Sequence, residues 1–305
     1  MKKLFLSTGI ILAFIFPEWS SGAGSSAFQF LRIQPGARAS AIGGAYVSLA
    51  DDGYSLYWNP AGLGRINETR LSFSHMFYLE NLNYNFVSYT EPMGKFGVFS
   101  LGFTGLFSDK IGKTLEDEYG YIIETDETYD TREAAFKLGW GKSVNEHLNV
   151  GITGKIISQR IEQKTATGIG LDMGGKYYFT DRVIIGAGIQ NIGPSVRGSN
   201  LPLNFKLGVH WLMPDYGPRA VKDLIVGTEI NQPRDGKLNF GFGFERTIYD
   251  VVLLRAGYNS RAQTGGLTGL RAGLGIKWPR FKVDYSFAPY QNLGNTHQFS
   301  TGLTF

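Results

Sequence analysis

From residue 69 to Phe305 the sequence alternates apolar residues with glycine or polar residues at a period of two. That period belongs to strands with two different faces, and a helix of the same stretch would scatter its apolar residues all round. Leu148, Val150, Ile152 and Ile156 oppose Asn149, Gly151, Thr153 and Lys155, and Leu203, Phe205, Leu207, Val209 and Trp211 oppose Asn204, Lys206, Gly208 and His210. Fourteen such segments are expected, at roughly 69–77, 83–91, 95–107, 131–142, 147–161, 166–180, 182–192, 203–213, 222–231, 237–247, 250–260, 267–278, 280–288 and 297–305. Most reach the 9–11 residues that a tilted membrane strand needs. An even count suits a bacterial outer-membrane barrel. Aromatics at strand ends (Trp140, Phe179, Trp211, Trp278) suit its interface girdles. The fold expected is therefore all-β: a transmembrane antiparallel β-barrel of about 14 strands. A soluble β-sandwich or solenoid also alternates and is the competing reading.

Composition agrees. Glycine makes up 41 of 305 residues, about twice its usual share, while only 18% of residues are charged and mean hydropathy is -0.12. An apolar outside averaged with a polar inside gives such values. The basic start Met1-Lys2-Lys3, the apolar run Leu4 to Phe16 and the small residues Ser21-Gly22-Ala23 read as a signal peptide over 1–23. Without Lys2, Lys3 and Glu18 the chain carries 28 basic and 25 acidic residues, a balance that argues against a nucleic-acid partner. There is no cysteine, so neither a lipoprotein anchor nor a disulfide is expected. The localisation expected is the cell outer membrane of a Gram-negative-type envelope, with lipid around the barrel. Connections that alternate in length fit that placement, the stretch 108–130 being the longest outer loop.

Residues 24–68 break the period. Gly36 to Val47 is rich in small residues, Asp51-Asp52-Gly53 turns the chain, and Tyr54 to Gly64 interleaves aromatics with small residues. Fourteen strands enclose more space than side chains fill, so this segment is expected to pack inside as a hatch or plug, with 69–305 as the barrel.

Three blocks of this segment resemble the N-terminal signature of the PorV/PorQ family, which belongs with the FadL-like outer-membrane barrels: Gly36-Ala37-Arg38, Ala45 to Asp52, and Tyr57-Trp58-Asn59-Pro60-Ala61-Gly62-Leu63. Leu201 to Asn204, Glu229 to Asp235, Pro289-Tyr290 and Leu293 to His297 resemble later blocks of the same family. The resemblance implies a fourteen-stranded barrel with an N-terminal hatch that carries Asn59-Pro60-Ala61. For that tripeptide a structural role is preferred to ligand binding, because Pro60 fixes its φ and Asn59 bonds local backbone. Arg38, Asp51 and Asp52 are the hatch charges expected to meet lumenal groups.

Parity gives those groups. Lys137, Lys155, Lys176, Lys206, Arg255, Arg271, Lys277 and Lys282 are expected inside, against Asp172, Glu245 and Asp284. The plain reading is a wet, neutralised lumen; the sharper one is a wall that attracts anions such as a carboxylate headgroup. The outer loop Asp109 to Asp130 carries eight acids, among them Glu116, Asp117, Glu118, Glu124, Asp126 and Glu127, against two lysines. It reads as a solvated surface, or, given Tyr119, Tyr121, Ile122 and Ile123, as a small contact site. Phe305 ends the last strand as the signal for the barrel assembly machinery.

No catalytic motif is present, the four histidines lack metal-ligand spacing, and no cofactor is expected. The protein is read as a non-enzyme, although a Ser–His pair on neighbouring strands leaves no motif. Two functions compete. Resemblance to PorV/PorQ implies an accessory role in protein secretion or surface attachment of the type IX kind, with secretion-system proteins or exported cargo as partners. The alternative is a FadL-like passive transporter of hydrophobic or amphipathic small molecules, with a fatty-acid-like ligand.

Overall fold

The computed structural model describes residues 25–79, 82–116, 119–213, 221–261, 269–290 and 294–305. The expected signal peptide, Asp117, Glu118 and Leu293 lie outside these residues, as do the side chains of Glu116 and Glu124.

Fourteen antiparallel strands close into a barrel in which neighbours along the chain pair and the last strand returns to the first. In chain order these are β1 (Arg70–Phe77), β2 (Leu82–Pro92), β3 (Val98–Ser108), β6 (Thr131–Ser143), β7 (Leu148–Ile161), β8 (Lys164–Tyr178) and β9 (Val183–Ile192). They continue as β10 (Asn204–Met213), β11 (Val221–Pro233), β12 (Asn239–Ile248), β13 (Val252–Asn259), β14 (Leu270–Lys277), β15 (Phe281–Pro289) and β16 (Asn295–Thr304). Every expected strand has its counterpart, and closure of the ladder excludes the sandwich. First and last strands pair over eight residues, from Arg70↔Thr304 to Phe77↔His297, so no edge is left open. The Phe305 amide completes the seam by donating to the Thr69 carbonyl at 3.0 Å.

Alternation sorts the two faces. Outward residues such as Phe73, Phe136, Ile156, Phe242, Leu274 and Phe299 are exposed, while their neighbours are buried. A contiguous apolar exterior of this extent needs lipid rather than water around it. Phe179, Trp211 and Trp278 stand exposed at strand ends, and the half-buried Trp140 donates its indole N–H to the Phe96 carbonyl at 2.8 Å.

Two differences from expectation have local causes. The third strand starts at Val98 because Gly94–Phe96 forms a tight 3-10 turn between Gly94 (φ 57) and Gly97 (φ 94). The outer loop is no simple loop: β4 (Ile111–Glu116) and β5 (Ile122–Tyr129) pair as a separate hairpin. Leu115 faces Ile123 across it, and Thr125 donates to the Lys113 carbonyl at 2.6 Å. Threonine and isoleucine favour this pairing in spite of the acids between them.

The N-terminal segment has little regular structure: short helices at Ala37–Ala41 and Ser55–Trp58, and 3-10 turns at Gln29–Arg32 and Pro60–Arg65. Its main chain, and at Ala41, Val47 and Asn59 its side chains, meet buried-face glycines of successive strands. A Cβ at Gly273 of β14 would collide with Ala41, at Gly257 and Gly243 of β13 and β12 with Ile42, and at Gly208 of β10 with Val47. The series continues with Gly186 of β9 against Ser48, Gly174 of β8 against Asn59, and Gly151 of β7 against Pro60 and Ala61. Absent side chains on the strands make the room for this main chain. Tyr46, Leu56, Trp58 and Phe86 form the packed centre, with Tyr46 and Trp58 edge-to-face at 5.5 Å.

Candidate functional site

Asn59 is fully buried and saturated by backbone. Its amide nitrogen donates to the carbonyls of Val47 (2.8 Å), Gly175 (3.1 Å) and Ala187 (3.4 Å), and its Oδ1 accepts from the Ala61 amide (3.1 Å). Pro60 opens the 3-10 turn whose cap this is, where its missing N–H costs nothing. With every polar atom engaged, the tripeptide ties segment to wall.

Arg38, also buried, is the centre of an ionic network. Its Nε and Nη2 each lie 2.8 Å from a Glu245 oxygen, and its Nη1 lies 2.7 Å from Asp51. Burial works against the charge, but Asp51 and Glu245 outweigh it and hold the guanidinium pKa well above its ordinary value. Glu245 also pairs with Arg255, which lies 2.8 Å from Asp284, and Lys282 lies 3.4 Å from the same carboxylate. Asp52 accepts from the Tyr46 hydroxyl at 2.6 Å; burial, then the negative charge of Asp51, raises the pKa of Asp52.

Of the other inward charges some are ion-paired and others rest against a carbonyl or an aromatic ring. Lys155 lies 2.7 Å from Asp172, Lys176 donates to the Ala50 carbonyl at 2.6 Å, and Lys206 lies 3.8 Å from Glu229 and 4.1 Å from the Trp58 ring centre. Lys137 lies 4.9 Å from the Tyr57 ring centre. All four lysines are buried. Arg271 is buried with its guanidinium 4.9 Å from the Tyr290 ring centre, and Lys277 is exposed at a cavity mouth.

Sequence reasoning overlooked three buried acids. Glu229 accepts from the amides of Tyr46 (3.0 Å) and Val47 (2.8 Å), and Glu133 accepts from Gln159 at 2.7 Å. Asp235 accepts from the Ser26 amide and Gln29 and pairs with Arg32. Parity alone reveals the first two, since Glu229 shares a face with Gly227 and Asn231, and Glu133 with Lys137. Asp235 follows its strand and has no parity to read. Glu229 and Glu133 offset part of the expected basic excess, and Asp235 is matched by Arg32.

Two cavities flank the segment. One, of about 400 Å³, lies towards the long connections and is lined by Phe30, Ile33, Met76, Tyr78, Leu106 and Tyr290 with Arg32, Arg261 and Arg271. The other, of about 560 Å³, lies towards the short turns; Tyr54, Leu253, Trp278 and Phe281 line it with Arg70, Lys277, Lys282, Asp51 and Glu245. The acidic hairpin carries exposed Leu115, Tyr119, Tyr121, Ile122 and Ile123, and Lys113 links Glu127 (3.1 Å) to Glu162 (3.0 Å). Of the histidines, His75 bonds Asn85, His147 the Tyr178 carbonyl and His297 the Tyr285 hydroxyl, while His210 is buried against the Ser48 backbone. Among the described residues no group of three or more His, Asp or Glu is placed to hold a metal.

Against known proteins, the family described as Uncharacterised protein family (UPF0164) matches residues 18–114. No curated protein matches the sequence. Solved structures do. The Pseudomonas putida toluene transporter TodX superposes with TM-score 0.60 at 12% identity, over 88% of this chain and 98% of that one. The Ralstonia pickettii toluene transporter TbuX gives 0.58 at 13%, over 90% and 98%. The CymD monoaromatic hydrocarbon channel gives 0.57 at 13%, over 89% and 97%. The likeness to these barrels is one of fold. Channels and transporters, rather than enzymes, carry it in these neighbours, and none of them adds weight to PorV/PorQ in particular.

Proposed function

We propose that the protein is an outer-membrane channel for small amphipathic molecules, with residues 24–68 as a plug in its lumen. The short connections then face the periplasm and the long ones the exterior. One observation carries the reading: the outer cavity joins an aromatic and aliphatic body to Arg261, Arg271 and the Asp235-paired Arg32, with Glu133 as its one carboxylate. Its size and chemistry suit a ligand with an apolar body and a carboxylate head, fatty-acid-like or aromatic. The hydrocarbon transport named for the structural neighbours supports the apolar half of this reading.

Accessory work in secretion is the second reading, and the projecting hairpin with its exposed tyrosines and isoleucines favours it. One experiment separates the two. Deletion of the gene is expected to reduce uptake of labelled fatty or aromatic acids and to leave the secretome unchanged. Unchanged uptake with lost surface proteins reverses the choice. Fractionation and heat-modifiable migration test the membrane placement; recovery in the soluble periplasm overturns it.

A further inference from the structure

Six carboxylates are buried among the described residues: Glu133, Asp172, Glu229, Asp235, Glu245 and Asp284. All but Glu133 meet a base. Asp172 has Lys155, Glu229 has Lys206, Asp235 has Arg32, Glu245 has Arg38 and Arg255, and Asp284 has Arg255 and Lys282. Glu133 has a neutral partner instead: its Oε2 accepts from the Gln159 amide at 2.7 Å, and no lysine or arginine among the described residues pairs with it. A buried carboxylate without a counter-charge is costly to keep. This one lines the outer cavity.

Glu133 stands on β6 and Arg271 on β14, and β15, β16, β1, β2 and β3 lie between them round the barrel. In a ring of fourteen strands the two side chains therefore come from nearly opposite walls. Arg261, just after β13, lies on the Arg271 side, where the Tyr290 ring centre is 4.9 Å from the Arg271 guanidinium. Between the charged ends the lining is apolar. Phe30, Met76 and Leu106 belong to one buried cluster, with Ile33 and Tyr78 packed against it. Ala135, the next inward residue after Glu133 on β6, belongs to the same cluster. The cavity is thus cationic at one wall, apolar in the middle and anionic at the other.

We infer that Glu133 selects the ligand: the outer cavity takes molecules with a carboxylate at one end, an apolar body, and a hydrogen-bond donor (hydroxyl or ammonium) at the other end. This selection rests on the channel reading for its carboxylate end. A plain fatty acid seated on Arg261 and Arg271 pushes its methyl end towards Glu133 and displaces water from a charge that then keeps only Gln159. A donor at that end replaces the water with a charge-assisted bond. Sites built to bond a polar group reject the analogue that lacks it more strongly than apolar pockets reject a misfit.

The full-length protein in lipid nanodiscs is titrated calorimetrically with straight-chain acids from hexanoate to dodecanoate, each beside its ω-hydroxylated counterpart, with empty nanodiscs as the blank. At the best-fitting length the hydroxylated acid is expected to bind at least about tenfold more tightly than its parent. Glu133→Leu is expected to erase that preference without weakening the parent acid. Glu133→Gln keeps an acceptor in place, is expected to keep part of the preference, and serves if the leucine variant loses its heat-modifiable folded form. Equal affinities in the unaltered protein, or a tighter parent acid, overturn the selection and leave the channel reading standing. A hydroxyl preference that survives undiminished in the folded Glu133 variants overturns the selection too. Failure of both acids of every pair to bind overturns the carboxylate site and the channel reading with it. Selective binding without uptake of the same acid into proteoliposomes overturns the channel reading alone and leaves the selection in place.

Discussion

The N-terminal segment meets the barrel in two physically different ways. Against β6–β10 the fit comes from removal: glycines on the strands let the backbone of 47–61 approach until no side chain fits between. Against β12–β16 the Arg38–Glu245–Arg255–Asp284 network and two cavities take over beyond the glycine contacts of Ala41 to Gly43. Close-packed backbone has a single good position, because any shift costs contacts at once. Ion pairs beside a cavity tolerate rearrangement, since water and alternative partners can replace what is lost. Both sides therefore hold the segment through glycines, and the second adds buried ion pairs beside two cavities.

The largest effect is expected against β6–β10. Gly151→Val drives a side chain into the Pro60–Ala61 peptide bond, backbone that cannot yield, and should abolish the heat-modifiable folded form. Gly154→Val, on the same strand with open space beside it, should leave that form intact. Equal behaviour of the two variants breaks the comparison. Next, Arg38→Ala removes one partner of a buried carboxylate and should cost about 3 kcal/mol in urea unfolding. Asn59→Ala strands three carbonyls and should cost about 2 kcal/mol. Ser300→Ala, which loses the Ala37 contact, a hydroxyl pair with Ser74 and a contact with the Tyr54 hydroxyl, should cost about 1 kcal/mol. Smallest of all, Ile123→Ser on the exposed hairpin should change barrel stability by less than about 0.5 kcal/mol. A loss of surface proteins in that variant, with uptake intact, sharpens the case for secretion.

How far these regions can be read from sequence follows the same division. Strands are legible because lipid on one side and a crowded interior on the other impose a period of two. The same period puts Lys155, Lys206 and Arg255 on one face with Gly151, Gly208 and Gly257, and in the structure those side chains are buried. It also puts Glu229 there, and with Glu229 comes the neutralisation that a count of basic residues conceals. The hairpin 111–129 is masked by its acids, although Thr114, Ile122, Ile123 and Thr125 carry strand preference. Arg32, Asp235 and Arg261 lie outside the strands, where no period tells which way a side chain points. The cavities leave no trace in sequence at all, because they are the space between segment and wall.

The central claim, a lumen filled by residues 24–68, is tested most directly by conductance in planar bilayers. The intact protein should show no porin-sized current steps, and a variant lacking 25–65 should show large, ohmic ones. Stable open-pore steps from the intact protein would contradict the account.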